Sequence, residues 1–190
     1  MIHSSSFIAI LDACVLYPAP VRDLLLSFAQ HGLFKPKWST EIQNEWTRNL
    51  LLKRPDLNKS QLQLTIDAMN DAFPDSDVIN FNSLVPSIEL PDPNDRHVVA
   101  AAIRSKADVI VTYNLKDFPK SIERQFNIEI QHPDTFLSNV YDLNPEKAKE
   151  AFNKMVIRLR NPPKSPAEVL ETLSKSDLKR IVKKLRGLGY

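Results

Sequence analysis

The stretch LPDPNDRHVVAAAIRSKADVIVTYNLKDFP, residues 90–119, decides the fold of this chain. Residues 94–106 are rich in Ala and Val, which predicts a helix buried between two layers. Residues 108–113, DVIVTY, follow at once and form the clearest strand of the sequence, because β-branched residues dominate them. A buried helix that leads directly into an apolar strand is typical of an α/β protein.

The rest of the chain repeats this alternation on both sides. Four further short apolar runs are candidate strands: residues 7–11 (FIAIL), 33–38, 77–81 (DVINF) and 128–130. Helical patterns separate them; one of these begins at Thr40, where Gln43 three residues later completes a capping-box pattern. The alternation predicts an α/β/α sandwich around a central parallel sheet.

Beyond Asn144 the pattern is helical only, so we expect residues 1–142 to form the catalytic domain and residues 143–190 a basic helical C-terminal extension. From Leu143 onward the chain has 12 Lys or Arg against 5 Asp or Glu, a net charge of +7, whereas the preceding part carries −5. The basic extension is open to two interpretations, a surface that contacts nucleic acid or a solvated helix face.

Composition narrows the class of protein. The chain has 190 residues, 43% of them hydrophobic, the size of one globular domain with a modest appendage. Cys14 is its only cysteine, which excludes an intramolecular disulfide and suggests a reducing compartment. No apolar stretch approaches the roughly 20 residues of a membrane span, so we expect a cytoplasmic protein without a membrane partner. Its three glycines are not clustered after a strand, which argues against a dinucleotide fingerprint or a P-loop.

Four acidic residues stand where strands end or helices begin: Asp12, Glu45, Asp95 and Asp117. In an α/β fold, the carboxyl ends of the strands bring such distant residues to one edge of the sheet. Carboxylates and water, rather than thiolate or imidazole, are the ligands of a hard cation such as Mg²⁺. The pattern therefore indicates metal-assisted chemistry on a phosphate ester.

Each acid also has a structural interpretation. Asp12 is suited to cap the helix that follows it. Glu41 shares a helix face with Glu45 and is the alternative to it, and Asp92 and Asp95 can exchange the roles of cap and metal ligand.

Asp117 lies in the loop after the best strand, where many acids are merely solvated. Thr112, near the end of that strand, and Asn114, just after it, are candidates to support a ligand carboxylate or a phosphate by hydrogen bonding.

Three blocks carry a resemblance to a known family: ILDACVL (10–16), STEIQNEW (39–46) and residues 90–119. In these blocks the chain resembles the PIN-domain family, and in particular the VapC-type toxin ribonucleases. The resemblance implies a PIN-like α/β/α sandwich, a site for Mg²⁺ or Mn²⁺ and endoribonuclease activity. It places the family's acidic positions on Asp12, Glu45, Asp95 and Asp117, with the metal on Asp12, Asp95 and Asp117, and with Thr112 and Asn114 in support.

The same resemblance implies partners. VapC-type proteins form homodimers and are blocked by a cognate antitoxin, as the toxins of type II toxin–antitoxin pairs. The substrate implied is RNA, structured RNA such as tRNA or rRNA being the candidate. The helical tail resembles the extension of a longer VapC-like subgroup.

Two rival functions remain to be weighed. A phosphatase of the haloacid-dehalogenase type needs a second Asp two residues after the nucleophile, but Cys14 stands there. A non-catalytic PIN-like module that binds RNA or protein is the stronger alternative, although the intact set of four acids argues against it.

Other residues are given lesser roles. His97 is expected on the far side of its helix from Asp95, and the four histidines show no zinc spacing. Trp38 and Trp46 are expected in the core or at a dimer interface. Basic candidates for contact with the RNA backbone are Arg22, Lys37, Arg96 and the lysines of the tail.

Overall fold

The computed structural model describes residues 7–160 and 162–187, and within these ranges it contains one four-stranded sheet. Strands β1 (Ile8–Leu11), β2 (Lys35–Lys37), β3 (Val109–Val111) and β4 (Glu129–Gln131) lie in the order β2-β1-β3-β4. All three pairings are parallel, and Ile10 lies opposite Ile110 at the centre. The predicted fold class, a central parallel sheet followed by C-terminal helices, is confirmed.

The two central strands are covered on both faces. Ala9, Ile10 and Leu11 of β1 are buried, as is every residue of β3. Because successive side chains of a strand point to opposite faces, an unbroken buried run requires a layer of other elements on each side. The apolar runs at residues 9–11 and 109–111 are therefore the inside of the sandwich.

Ten α-helices surround or extend the sheet in the described part of the chain. They are α1 (Ala13–Leu16), α2 (Ala19–Gln30), α3 (Thr40–Lys53), α4 (Lys59–Ala72), α5 (Arg96–Ser105), α6 (Lys120–Phe126), α7 (Pro133–Leu143), α8 (Pro145–Arg158), α9 (Pro166–Lys175) and α10 (Lys179–Arg186). Helix α5 packs against β1 and β3, as its Ala- and Val-rich sequence predicts.

Two local predictions were wrong. Residues 77–81 do not form a strand: Asp77 makes a single bridge to Trp38, and Asn80 then adopts a left-handed backbone (φ 61°), which ends the extension. The cap of α3 is Ser39 rather than Thr40, and its hydroxyl accepts the N–H of Ile42.

The C-terminal helices pack against the body of the protein. Helix α8 lies along α2, where the buried Ser27 hydroxyl donates to the Ala151 carbonyl at 2.7 Å. Helix α10 packs on α7. The division at residues 142/143 stays a prediction, and residues 1–6, 161 and 188–190, including His3, lie outside the described residues.

Several side chains named from the sequence belong to the core. Trp38 and Trp46 are fully buried. Arg22 is turned toward the protein: it donates to the Leu16 carbonyl, and its guanidinium lies 4.8 Å from the centre of the Trp46 ring, while its contact with RNA stays a prediction. Among residues 7–160 and 162–187, no helix has the length and apolar character to cross a membrane.

Candidate active site

The candidate site begins at the carboxyl ends of the two central strands. Asp12 directly follows β1, and Thr112 directly follows β3. The strands are neighbours, and the Asp12 N–H donates to the Val111 carbonyl at 3.1 Å. Sheet pairing therefore brings together two residues that are 100 positions apart in the chain.

Asp12 is held rigidly and is 2% exposed. One carboxylate oxygen accepts the N–H of Ala13 at 2.6 Å, and the other accepts the Thr112 hydroxyl at 2.7 Å and the Cys14 thiol at 3.1 Å. Burial raises the pKa of Asp12 and the charge of Glu45 adds to this, while the Thr112 and Cys14 hydrogen bonds oppose it. Asp12 is thus both a helix cap and a buried acid in reach of a second acid.

Asp95 is the carboxylate on which the charges of the other site acids act. It ends the short 3₁₀ helix Pro93–Asp95, is 8% exposed, and its carboxylate accepts no hydrogen bond from the described residues. Burial first, and then repulsion, raise the pKa of Asp95 to about 7. The repelling carboxylates are those of Asp12, Asp92, Glu45 and Asp117.

The roles of Asp92 and Asp95 differ in the structure. Asp92 caps the 3₁₀ helix, because its carboxylate accepts the N–H of Asn94 at 2.9 Å. Asp95 caps nothing. Of the two alternatives left open by the sequence, this geometry favours Asp95 as the ligand and Asp92 as the cap.

Glu45 and Glu41 face different surroundings. Glu45 is half-buried, and its charge acts on both Asp12 and Asp95. Glu41 is exposed and acts instead on Asp77, whose pKa is raised by burial first and by Glu41 second. The geometry favours Glu45.

The sequence predicted no role for His97 in the site, yet its imidazole lies beside Glu45. Its Nε2 lies 3.4 Å from a carboxylate oxygen of Glu45, and its buried Nδ1 has no partner among the described residues. The prediction assumed that Asp95 and His97 share one α-helix, in which a two-residue step points away. Asp95 instead belongs to the 3₁₀ helix before α5, so the α-helical angle does not apply.

Asp117 and Asn114 complete the site from the loop after β3. The Asn114 N–H donates to the Thr112 hydroxyl oxygen at 2.9 Å, and the Asp117 N–H donates to the Asn114 carbonyl at 2.9 Å. Asp117 is half-buried, and its charge reaches Asp95. The backbone of this loop therefore continues the hydrogen-bond network of Asp12.

A cavity with a volume of about 320 Å³ opens beside these groups, with Cys14, Glu45 and Asn114 in its wall. Tyr17 and Lys53 form the outer part of the wall, where the Lys53 ammonium lies 5.5 Å from the centre of the Tyr17 ring. Of the four acids, Glu45 lines this cavity, and the Lys53 ammonium is a cation in the same wall.

The donor set fits a hard divalent cation. In the described part of the chain, no three His, Cys, Asp or Glu side chains are close enough to hold a metal ion together. Mg²⁺ does not require such a cage, since it keeps several waters and binds through one or two carboxylates. Carboxylates that repel one another, and that form no ion pair with Lys or Arg within residues 7–160 and 162–187, suit that mode of binding.

Comparison with known proteins defines the class. Residues 9–116, more than half of the chain, match the model of the PIN domain, and the chain belongs to the PIN-domain family. Residues 133–187 match a second model, described as the VapC50 C-terminal domain.

A particular relative is a Mycobacterium tuberculosis protein named "Putative ribonuclease VapC50", to which the chain is 44% identical over 79 residues. The matched segment covers 42% of this chain and 47% of that protein, so the chain spans about half the length of the curated relative. No solved structure matches the chain.

Proposed function

We propose that this protein is a metal-dependent endoribonuclease that hydrolyses phosphodiester bonds in RNA, and that it is the toxin of a type II toxin–antitoxin pair. The observation that carries the proposal is the buried carboxylate of Asp95. It faces the charges of Asp12, Glu45, Asp92 and Asp117 and has no cationic partner among the described residues. Repulsion between these carboxylates destabilises the fold when no cation is bound. A bound dication offsets that repulsion.

Asp12, Asp95 and Asp117 are the residues that would hold Mg²⁺ or Mn²⁺, directly or through water. When bound, the metal supplies an activated water for attack on phosphorus and stabilises the charge of the leaving oxygen. Glu45 is half-buried at the same site and is the candidate to orient the attacking water.

The other residues of the site hold this set in place. The Thr112 hydroxyl and the Cys14 thiol both bind the same oxygen of Asp12, which fixes the rotation of the carboxylate. His97 lies against Glu45 and restrains it. These contacts organise the acids before substrate arrives, which is how an active site lowers the cost of reorganisation during the reaction.

The substrate and partners follow from the family and the site. The open cavity beside Glu45 and Asn114 suits an exposed single-stranded segment, and structured RNA such as tRNA or rRNA offers one in its loops. A cognate antitoxin, a homodimeric assembly and a cytoplasmic location complete the proposal. We assign residues 1–142 to catalysis and residues 143–190 to the extension.

The test is cleavage of a structured RNA by the purified chain with Mn²⁺, with EDTA, and with Asp12→Asn. Cleavage with Mn²⁺ that is lost in EDTA and in the variant is expected. Full activity in the Asp12→Asn variant would refute the assignment. RNA binding without cleavage and without Mn²⁺ binding in calorimetry would indicate a non-catalytic module instead.

A further inference from the structure

The turn between α9 and α10, residues 176–178, lies against the site edge of the sheet. Tyr113 follows β3, and its hydroxyl donates to the Ser176 carbonyl at 2.7 Å. Its ring meets the ring of His132, which follows β4, edge to face with 4.9 Å between the centres. The turn between the C-terminal helices therefore contacts a residue that follows β3, whose ring packs on a residue that follows the edge strand β4.

The turn is fixed from a second direction by His132 and Asp134. His132 Nδ1 accepts the N–H of Asp134 at 3.2 Å, so Nε2 carries the ring proton and faces the Asp177 carboxylate at 3.6 Å. The Asp134 carboxylate accepts the N–H groups of Arg180 and Ile181, each at 2.9 Å. These two N–H groups open α10, and Asp134 caps that helix from another element.

Tyr113 also belongs to the network of Asp12. Its backbone N–H donates to the Cys14 sulfur at 3.2 Å, and the Cys14 thiol donates to Asp12. Its neighbours on either side are Thr112, which donates to Asp12, and Asn114, which donates to Thr112. One residue thus joins the C-terminal turn through its side chain and the acidic site through its backbone.

We propose that Tyr113 is a positioning residue through which the α9–α10 turn holds residues 112–114, and with them Asp12, in the geometry that binds the cation. The inference rests on the proposed function for the identity of the site. In this arrangement α9 and α10 help to hold the residues of the site in place through Tyr113. The half-buried Tyr113 ring contacts His132 edge to face, and the 2.7 Å hydroxyl contact ties the same residue to Ser176, so residues 112–114 are anchored to the turn.

The test compares two variants of the full chain. Tyr113→Phe removes only the hydroxyl that binds Ser176, whereas Ser27→Ala removes the buried hydroxyl that binds Ala151 at the same 2.7 Å. Both changes cut one bond between the body and the C-terminal helices, but Ser27 has no contact with the acids. Mn²⁺ affinity by calorimetry and the rate of Cys14 labelling by iodoacetamide are measured, together with urea unfolding. Cys14 is the only cysteine, so labelling reports on this segment alone.

Tyr113→Phe is expected to weaken Mn²⁺ binding about 10-fold, the low end of the effect of residues that orient metal ligands without touching the metal. The same variant is expected to speed Cys14 labelling several-fold. Ser27→Ala is expected to leave both within about two-fold of wild type, since it touches no ligand. Asn is tolerated by the left-handed backbone at position 177 (φ 60°). Asp177→Asn is therefore expected to change Mn²⁺ affinity and the rate of Cys14 labelling in the same direction as Tyr113→Phe, but by a smaller factor.

Equal Mn²⁺ affinity in Tyr113→Phe and Ser27→Ala would overturn the inference, even if labelling differed. Wild-type protein that binds no Mn²⁺ would overturn the proposed function, and the positioning role with it. Unchanged labelling in Tyr113→Phe would separately show that the hydroxyl does not hold residues 112–114.

Discussion

Two buried aspartates, Asp134 and Asp95, show how differently this protein uses the same side chain. They are 7% and 8% exposed. Asp134 accepts two backbone N–H groups of α10, while Asp95 accepts no hydrogen bond from the described residues and faces other carboxylates. Burial alone therefore does not reveal the purpose of an acid; its partners do.

The contrast follows from the cost of burying charge. A buried carboxylate that receives hydrogen bonds recovers much of the solvation it has lost, and it then fixes whatever donates to it. A buried carboxylate among like charges recovers nothing until a cation or a proton arrives. Asp134 accordingly stabilises a helix junction, whereas the negative charge of Asp95 is not compensated by any contact among the described residues.

The largest expected effect comes from Asp95→Asn, which keeps the shape of the side chain and removes its charge. RNA cleavage should fall by about 1000-fold or more, because a metal ion supplies several kcal/mol of charge stabilisation. Initial rates of cleavage with saturating Mn²⁺ measure this. Asp92→Asn is the matched control, since Asn can keep the cap on Asn94. Comparable losses in both variants would contradict the division of roles.

The same variant should stabilise the metal-free protein at neutral and alkaline pH. The pKa of Asp95 is raised from 3.8 to about 7, so the folded state binds more protons than the unfolded state between these values. Stability of the wild type therefore falls as pH rises from about 4 to 7. Asp95→Asn should be more stable by on the order of 2–4 kcal/mol at pH 8 and about equal at pH 4. Urea unfolding in EDTA at both pH values tests the sign, and a loss of stability at pH 8 would show that Asp95 is structural.

Asp134→Ala should destabilise the protein, in contrast to the gain in stability expected for Asp95→Asn. It leaves the N–H groups of Arg180 and Ile181 without an acceptor, which should lower the free energy of unfolding by about 2 kcal/mol. Urea unfolding at pH 7 measures it. The control is Asp142→Ala, which removes only the exposed partner of Lys184 and should cost below about 1 kcal/mol. If Asp134→Ala lowered the free energy of unfolding no more than Asp142→Ala does, the cap on α10 would contribute little to stability.

The sequence predicted those parts of the site that depend on strand ends. Asp12 follows β1 and Thr112 follows β3, and once the apolar runs are recognised as parallel strands, their meeting is fixed by pairing. Glu45 and Asp95 required the family resemblance as well, because the same positions suit an inert helix face and a cap.

The rest depended on tertiary contacts that have no local pattern. Residues 77–81 have the composition of a strand, but only Asp77 pairs, and the backbone at Asn80 turns away. The contact of Tyr113 with Ser176 joins positions 63 apart, and nothing in either neighbourhood indicates it. Such contacts arise from the packing of α9 and α10 onto the body, which composition does not specify.

The smallest effect is expected at His97, and it sharpens the comparison because an imidazole nitrogen lies 3.4 Å from the Glu45 carboxylate, whereas Asp95 faces other carboxylates. His97→Ala should lower kcat/KM for RNA cleavage about 10-fold, as loss of an orienting partner typically does. His97→Gln can return an N–H group near the position of Nε2 and should recover most of the activity. The test is to measure the cleavage rates of both His97 variants at saturating Mn²⁺. Glu41→Gln, an exposed position on α3, is the control. If Ala and Gln were equally impaired, the imidazole would act by filling space rather than by holding Glu45.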